Sequence, residues 1–301
     1  MGGRSSRDRQ DGGAHVRRRF RTVYGVDFSG ARMAGRTTWI AKARWEGRGR
    51  ARRLRLVALD NLESLSGAAE RAAALAHLVE RIARSRGALW AIGAPFGLPL
   101  EVLDDGMTWP RLLRWVRGWE EHAGYDLGLW ALARAKERGH PQHVYRATDR
   151  AARTPFDAYH YRIIYQTFHG MRDVLWPLTR VRETAIMPFH YRRLAGARRV
   201  VVETCQSSTL KRLGLPHQNY KQPAGGPLTW KRLRTRHRLM DWLAGQVVFD
   251  ARHRRVMMRN GGGDALDAVI AGVGASLGWR EADHAAIRRH PRYRREGRMF
   301  V

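Results

Sequence analysis

Apolar positions come in short β-type runs through the first third of the chain and at helical spacing after it. The first run, residues 21–28, is rich in β-formers and is punctuated at once by Ser29-Gly30, which leaves Asp27 at a strand end. Residues 37–45 and 52–59 read as two further strands joined by the Glu46-Gly47-Arg48-Gly49 turn. Ser66 then caps a helix with an apolar stripe of Leu75, Leu78, Val79 and Ile82, stopped at Gly87. A buried strand follows at 89–92, ended by APFGLP (94–99). Residues 99–196 read as a helical insert in which Trp115 and Trp119 share one face, a spacing that marks core packing before base stacking. Arg199-Val200-Val201-Val202 is the next strand and delivers Glu203, with a helix from Ser207 or Ser208 through Leu213. After a loop at 216–222, residues 228–243 form a basic amphipathic helix, and Gly261-Gly262-Gly263 opens the last one. The order is strand, strand, strand, helix, strand, insert, strand, helix, which predicts an α/β protein.

Charge narrows the partner. Lys and Arg number 56 against 27 Asp and Glu, a formal net charge of +29. Most of the cations are arginines, whose forked guanidinium suits phosphate, and with eleven Trp this favours nucleic acid, DNA or RNA, as partner. Arginines spread over a surface would merely solvate it, so the cluster Lys231, Arg232, Arg234, Arg236 and Arg238 on one helix is the more telling feature. Residues 1–20 read as a disordered basic arm and 281–301 as a basic C-terminal tail, with 21–280 as one domain between them. The single cysteine, Cys205, excludes an internal disulfide and fits a reducing cytoplasm. No stretch has the apolar length of a membrane span, and no apolar run follows Arg17-Arg18-Arg19 as a signal peptide would need.

The carboxylates carry the chemistry. Asp264 and Asp267 lie three apart at a helix start, where acids often do no more than complement the helix dipole. Their face continues into Ile270 and Ala271, however, so it turns toward the core, and two buried acids need a cation. Asp27 has a bland alternative as cap of the Ser29-Gly30 turn. With Glu203 at another strand end, Asp27, Asp264 and Asp267 make up a four-carboxylate set of the kind Mg²⁺ or Mn²⁺ prefers. Such ions serve phosphodiester cleavage, and a cationic surface around an acidic cluster is the charge layout a nuclease needs. A neighbouring carboxylate disfavours Cys205 as a nucleophile. The glycines at 261–263 lack the Lys-Ser/Thr of a P-loop. YRATD (145–149) and YQTFHGMR (165–172) are specific-looking, without a role that spacing supplies.

GVDFSGA (25–31), IGAPFGLP (92–99), VVVETCQSSTLKRLGLP (200–216) and GGDALDAVIAG (262–272) resemble, in this order, a microbial family of predicted RNase H-like nucleases filed as a domain of unknown function. The resemblance implies an RNase H-like mixed five-stranded sheet: a three-strand antiparallel meander, then two parallel strands, with flanking helices and a large insert between strands four and five. It implies Asp27 as the first-strand catalytic acid, with Asp264 and Asp267 as the final-helix acids. The second acid that such folds commonly place at the end of strand four falls near Gly93, leaving Glu203 to take over or catalysis to lapse. Three readings follow: a metal-dependent nuclease, a nucleic-acid binder of the same fold without turnover, and a nucleotide phosphotransferase of the actin and hexokinase type, whose Asp-Gly phosphate loops DFSGA resembles.

Overall fold

The structure is a computed structural model and describes residues 20–47, 52–222 and 225–301. The proposed basic arm lies outside these residues except for Phe20, as does part of the first hairpin turn. Among the described residues seven strands, β1 (Thr22–Asp27), β2 (Trp39–Glu46), β3 (Arg53–Asn61), β4 (Ala88–Ile92), β5 (Thr184–Ile186), β6 (Arg199–Glu203) and β7 (Val247–Val248), form one mixed sheet. Their order is β5-β6-β4-β1-β2-β3-β7. The meander β1-β2-β3 is antiparallel, whereas β4 runs parallel to β1, β6 to β4, β5 to β6 and β7 to β3. The expected count of five strands is therefore corrected to seven. The two additions are edge strands of three and two residues, too short to produce a period-two signal.

Side chains alternate across the sheet and divide the core into two layers. On β1, Val26 packs into one layer with Leu75, Leu78 and the helices of the insert. Val23 packs into the other, against Ile270 and Val273 of the long helix Asp264–Glu281. Gly25 faces that helix: a Cβ there would lie 2.0 Å from the Ala268 carbonyl oxygen and 2.3 Å from the Gly272 amide nitrogen. Only glycine admits so close an approach of helix to strand.

The insert is helical as expected, at Trp109–Arg117, Gly124–Glu137, Ala147–Ala152 and Ile164–His169. Its tryptophans are structural. Trp109 is buried and stacks on Phe189 at 3.8 Å, and Trp115, Trp119 and Trp130 pack on one another at the core margin. Ser66 does not cap the next helix. It closes a short one, Leu62–Ser66, capped by the Asn61 side chain and stopped by Gly67, and the long helix starts at Arg71. The C-terminal tail is folded: Glu296 and Phe300 are buried, and the Phe300 amide donates to the Glu203 carbonyl at 2.8 Å.

Candidate functional site

At the carboxyl ends of β1, β4 and β6 a cleft of about 580 Å³ opens, lined by Asp27, Gly93, Gln206, Tyr220, Lys221 and Asp267 among others. In open sheets this is where fixed strand ends and reachable loops make ligand sites. Alternation places Asp27 on the same face as Val23 and Gly25, toward the helix Asp264–Glu281. Gly263, at φ 84°, lets the chain turn into that helix, and Asp267 in its first turn meets the cleft. Two carboxylates distant in sequence thus share one floor. Asp264 does not line the cleft, although its charge is felt there.

Hydrogen bonds fix this floor. Gln206 donates through Nε2 to Asp27 Oδ1 at 3.1 Å, and the Tyr220 hydroxyl donates to Asp267 Oδ1 at 2.9 Å. The Lys221 ammonium pairs with Asp267 Oδ2. Burial pushes the Asp27 carboxyl well above the usual carboxylate range; Lys221 opposes the rise, while the charges of Asp267 and Asp264 add to it. Burial likewise raises Asp264, with Asp267 adding to the effect. Burial works against the charge of Lys221, yet Asp267 and Asp27 outweigh it and hold the amine above its ordinary range. Asp27 does not cap the turn after β1. Ser29 does so, its Oγ accepting from the Ala31 amide at 3.2 Å.

Glu203 departs from the expected set. Val26 pairs with Ile92 and Ile92 with Glu203, so these three point to one face, and Asp27, one residue further along, points to the other. Glu203 instead enters a buried ionic knot with Arg146 and Asp149. Arg146 donates to Glu203 at 2.5 and 3.0 Å, and to Asp149 at 2.8 and 3.0 Å. The Phe96 amide takes part too, donating to Glu203 Oε2 at 3.0 Å. Burial raises the Glu203 carboxyl and Arg146 opposes it; Glu203 lines the cleft as Asp27 and Asp267 do, but its oxygens are taken up by Arg146 and the Phe96 amide. The position that does face Asp27 is Gly93, where a Cβ would lie 2.7 Å from Gln206 Nε2. Gly93 makes room for the Gln206 amide where a second acid was expected.

The two unassigned motifs now have roles. YRATD supplies Arg146 and Asp149 of the knot. YQTFHGMR braces the turn after Asp27: Gln166 Nε2 donates to the Phe28 carbonyl at 3.0 Å, and Gly30 lies hard against the Tyr165 backbone. Lys221, Tyr220 and Gln206 escaped notice in the sequence because each stands in a loop or helix start with no periodic pattern. The basic helix spans Trp230–Gln246, with Lys231, Arg234 and Arg238 exposed and Arg232 lining the cleft. Arg236 is corrected: fully buried, it donates to the carbonyls of Tyr220, Met257, Met258, Asn260 and Gly261 and has no surface left for a phosphate.

Among the described residues, no group of three or more His, Cys, Asp or Glu is arranged to hold a metal ion, and no helix is long and apolar enough to cross a membrane. Comparison with family models, curated proteins and solved structures gave no match.

Proposed function

We propose that this cleft hydrolyses phosphodiester bonds of nucleic acid with the help of one hard divalent cation, Mg²⁺ or Mn²⁺, held by Asp27 and Asp267. The observation that carries the reading is their convergence, from the end of β1 and the first turn of the long helix, on a cleft also lined by Arg162, Lys211 and Arg232. Acids on the floor bind a cation, and cations around them draw in the phosphate backbone. Both proposed ligands are carboxylates, which suit a hard ion. Mg²⁺ is commonly held by only one or two carboxylates, with water and substrate phosphate completing its shell. Lys221 supports the fit, since its ammonium already takes the place of a cation beside Asp267. When bound, such an ion supplies Lewis acidity to the phosphate ester.

The protein's own residues set the stage for that chemistry. Gln206 orients Asp27, and Tyr220 fixes one oxygen of Asp267. Lys221, if the ion took its place beside Asp267, would offer its ammonium to a non-bridging phosphate oxygen. Arg162, Lys211 and Arg232 take neighbouring phosphates. The inner strand order β6-β4-β1-β2-β3, with its antiparallel meander, agrees with the RNase H-like reading, which we extend to the fold. Binding without turnover is the second reading, favoured by Gly93 and by the Lys221–Asp267 pair. A phosphotransferase ranks behind both, because neither Ser29 nor Gly30 lines the cleft.

Cleavage of single- and double-stranded DNA and RNA under Mg²⁺ or Mn²⁺ tests the proposal. Wild type should cut at least one form and lose activity with chelator. Asp27→Asn and Asp267→Asn should each lower the rate by about 10²–10³-fold or more, the scale of one lost electrostatic contribution in the transition state. A wild type inert on all four forms would leave the binder reading standing.

A further inference from the structure

Beside the acidic floor, the segment that follows the Arg146 knot forms an aromatic ledge. The rings of Phe156 and His160 stack with centroids 4.4 Å apart, and His160 continues to Tyr161 at 4.5 Å. The Arg162 guanidinium sits 5.6 Å from the Phe156 ring and 5.7 Å from the Tyr161 ring, and its Nε donates to the Tyr161 hydroxyl at 3.1 Å. Phe156 and Arg162 line the same cleft as Asp27 and Asp267. The ledge is held from beneath by Asp157, which is buried, bonds His143 Nδ1 at 2.8 Å and accepts from the Tyr159 amide at 3.0 Å.

Tyr161 is nonetheless 63% exposed. An exposed tyrosine on a loop is commonplace when it stands alone. Here it follows the stacked Phe156–His160 pair, its own ring tilted 31° to His160, with Arg162 of the cleft lining across it. The tryptophans of the insert, by contrast, turn their faces into the core. On the basic helix that contributes Arg232 to the cleft, Trp230 is 85% exposed, the most of any large apolar side chain among the described residues.

Aromatic faces alternating with arginine beside a phosphate-binding cleft suit unpaired bases. Every base offers a π-face to an aromatic ring, but in a duplex those faces are hidden in the stack. We propose that the substrate of this cleft is single-stranded nucleic acid, with a base stacked on Tyr161 and the Phe156–His160 pair and Arg162 on the adjoining phosphate. The inference rests on the phosphodiester reading above and names its substrate class.

The test is binding in EDTA, so that it does not depend on turnover. Fluorescence anisotropy at one salt concentration would compare a labelled 12-nucleotide strand, its duplex and an abasic strand of the same length. The single strand should bind about tenfold or more tighter than either. Tyr161→Ala should weaken it by about 5- to 100-fold, the range of one lost base stack. Its salt dependence should stay unchanged, because tyrosine carries no charge. An unchanged melting temperature for Tyr161→Ala separates lost stacking from lost folding, and Phe156→Leu gives an independent second variant. Equal binding of duplex and single strand, or two neutral variants, overturns the inference and leaves metal-dependent cleavage untouched. Stacking by a wild type that never cleaves any form overturns the cleavage reading alone.

Discussion

Asp27 is a carboxylate placed where charge is costly, and its titration has a direct consequence for stability. Burial and the nearby carboxylates raise its pKa in the folded chain. Between the ordinary carboxylate range and that raised value, the folded state keeps a proton that the unfolded state has released, so stability falls as pH rises through the window. Asp27→Asn removes this cost. At neutral pH the variant should melt above wild type without metal, and the gap should close as pH drops into the usual carboxylate range, as thermal melts across pH would record. Lys221 carries the opposite charge on the same floor. Lys221→Met should tighten Mn²⁺ binding, measured by calorimetry, because the resident cation is gone; weaker binding would place the lysine outside the ion's path. At this scale the shared place of Asp27 and Asp267 in one cleft was legible from a strand end and an amphipathic helix start. The pairing of Glu203 with Arg146 was not legible for want of register: one residue of offset turns a side chain to the other face, and pairing between strands is not written in either strand alone.

The close contact between β1 and the helix Asp264–Glu281 ties the site to the core. Gly25→Ala would drive a methyl group into the helix backbone, which unlike a flexible side chain has little room to yield. The cost should be about 1–3 kcal/mol or more, read as a lower denaturation midpoint, with the Asp27–Asp267 pair pulled apart at the same time. Arg146 holds a different junction, between the insert, β6 and the tail, through Glu203, Asp149 and the Glu296 carbonyl. Arg146→Met strands two buried carboxylates and should cost about 3–5 kcal/mol. Adding Glu203→Gln and Asp149→Asn should recover part of that loss, since neutral groups are cheaper to bury. If Glu203 held a metal instead, Arg146→Met would change metal affinity with little effect on stability. The inner strands and long helices could be read from pattern because each presents a full period. Three-residue β5 and two-residue β7 could not, and the tail's place depends on buried Glu296 and Phe300, which look like a solvated end in a basic sequence.

Over the whole molecule, +29 is the largest electrostatic fact, yet it is not spent uniformly on a ligand. Arg146 and Arg236 are interior struts, and many others pair with carboxylates on the surface. The cations left at the cleft and along the exposed side of the helix Trp230–Gln246 should still make binding salt-dependent, with log affinity falling linearly in log salt. Neutralising exposed Lys231 and Arg234 should flatten that slope, whereas a salt-insensitive association would reduce the excess arginine to surface solvation. The central claim is narrower: Asp27 and Asp267 together form a hard-cation site. Titrating wild type, Asp27→Asn and Asp267→Asn with Mn²⁺ and following free ion by electron paramagnetic resonance tests it most directly. We expect saturable binding of one ion to wild type and loss of that binding in either variant with the fold retained. Absence of saturable binding by wild type at millimolar Mn²⁺, or undiminished binding by both variants, would contradict it.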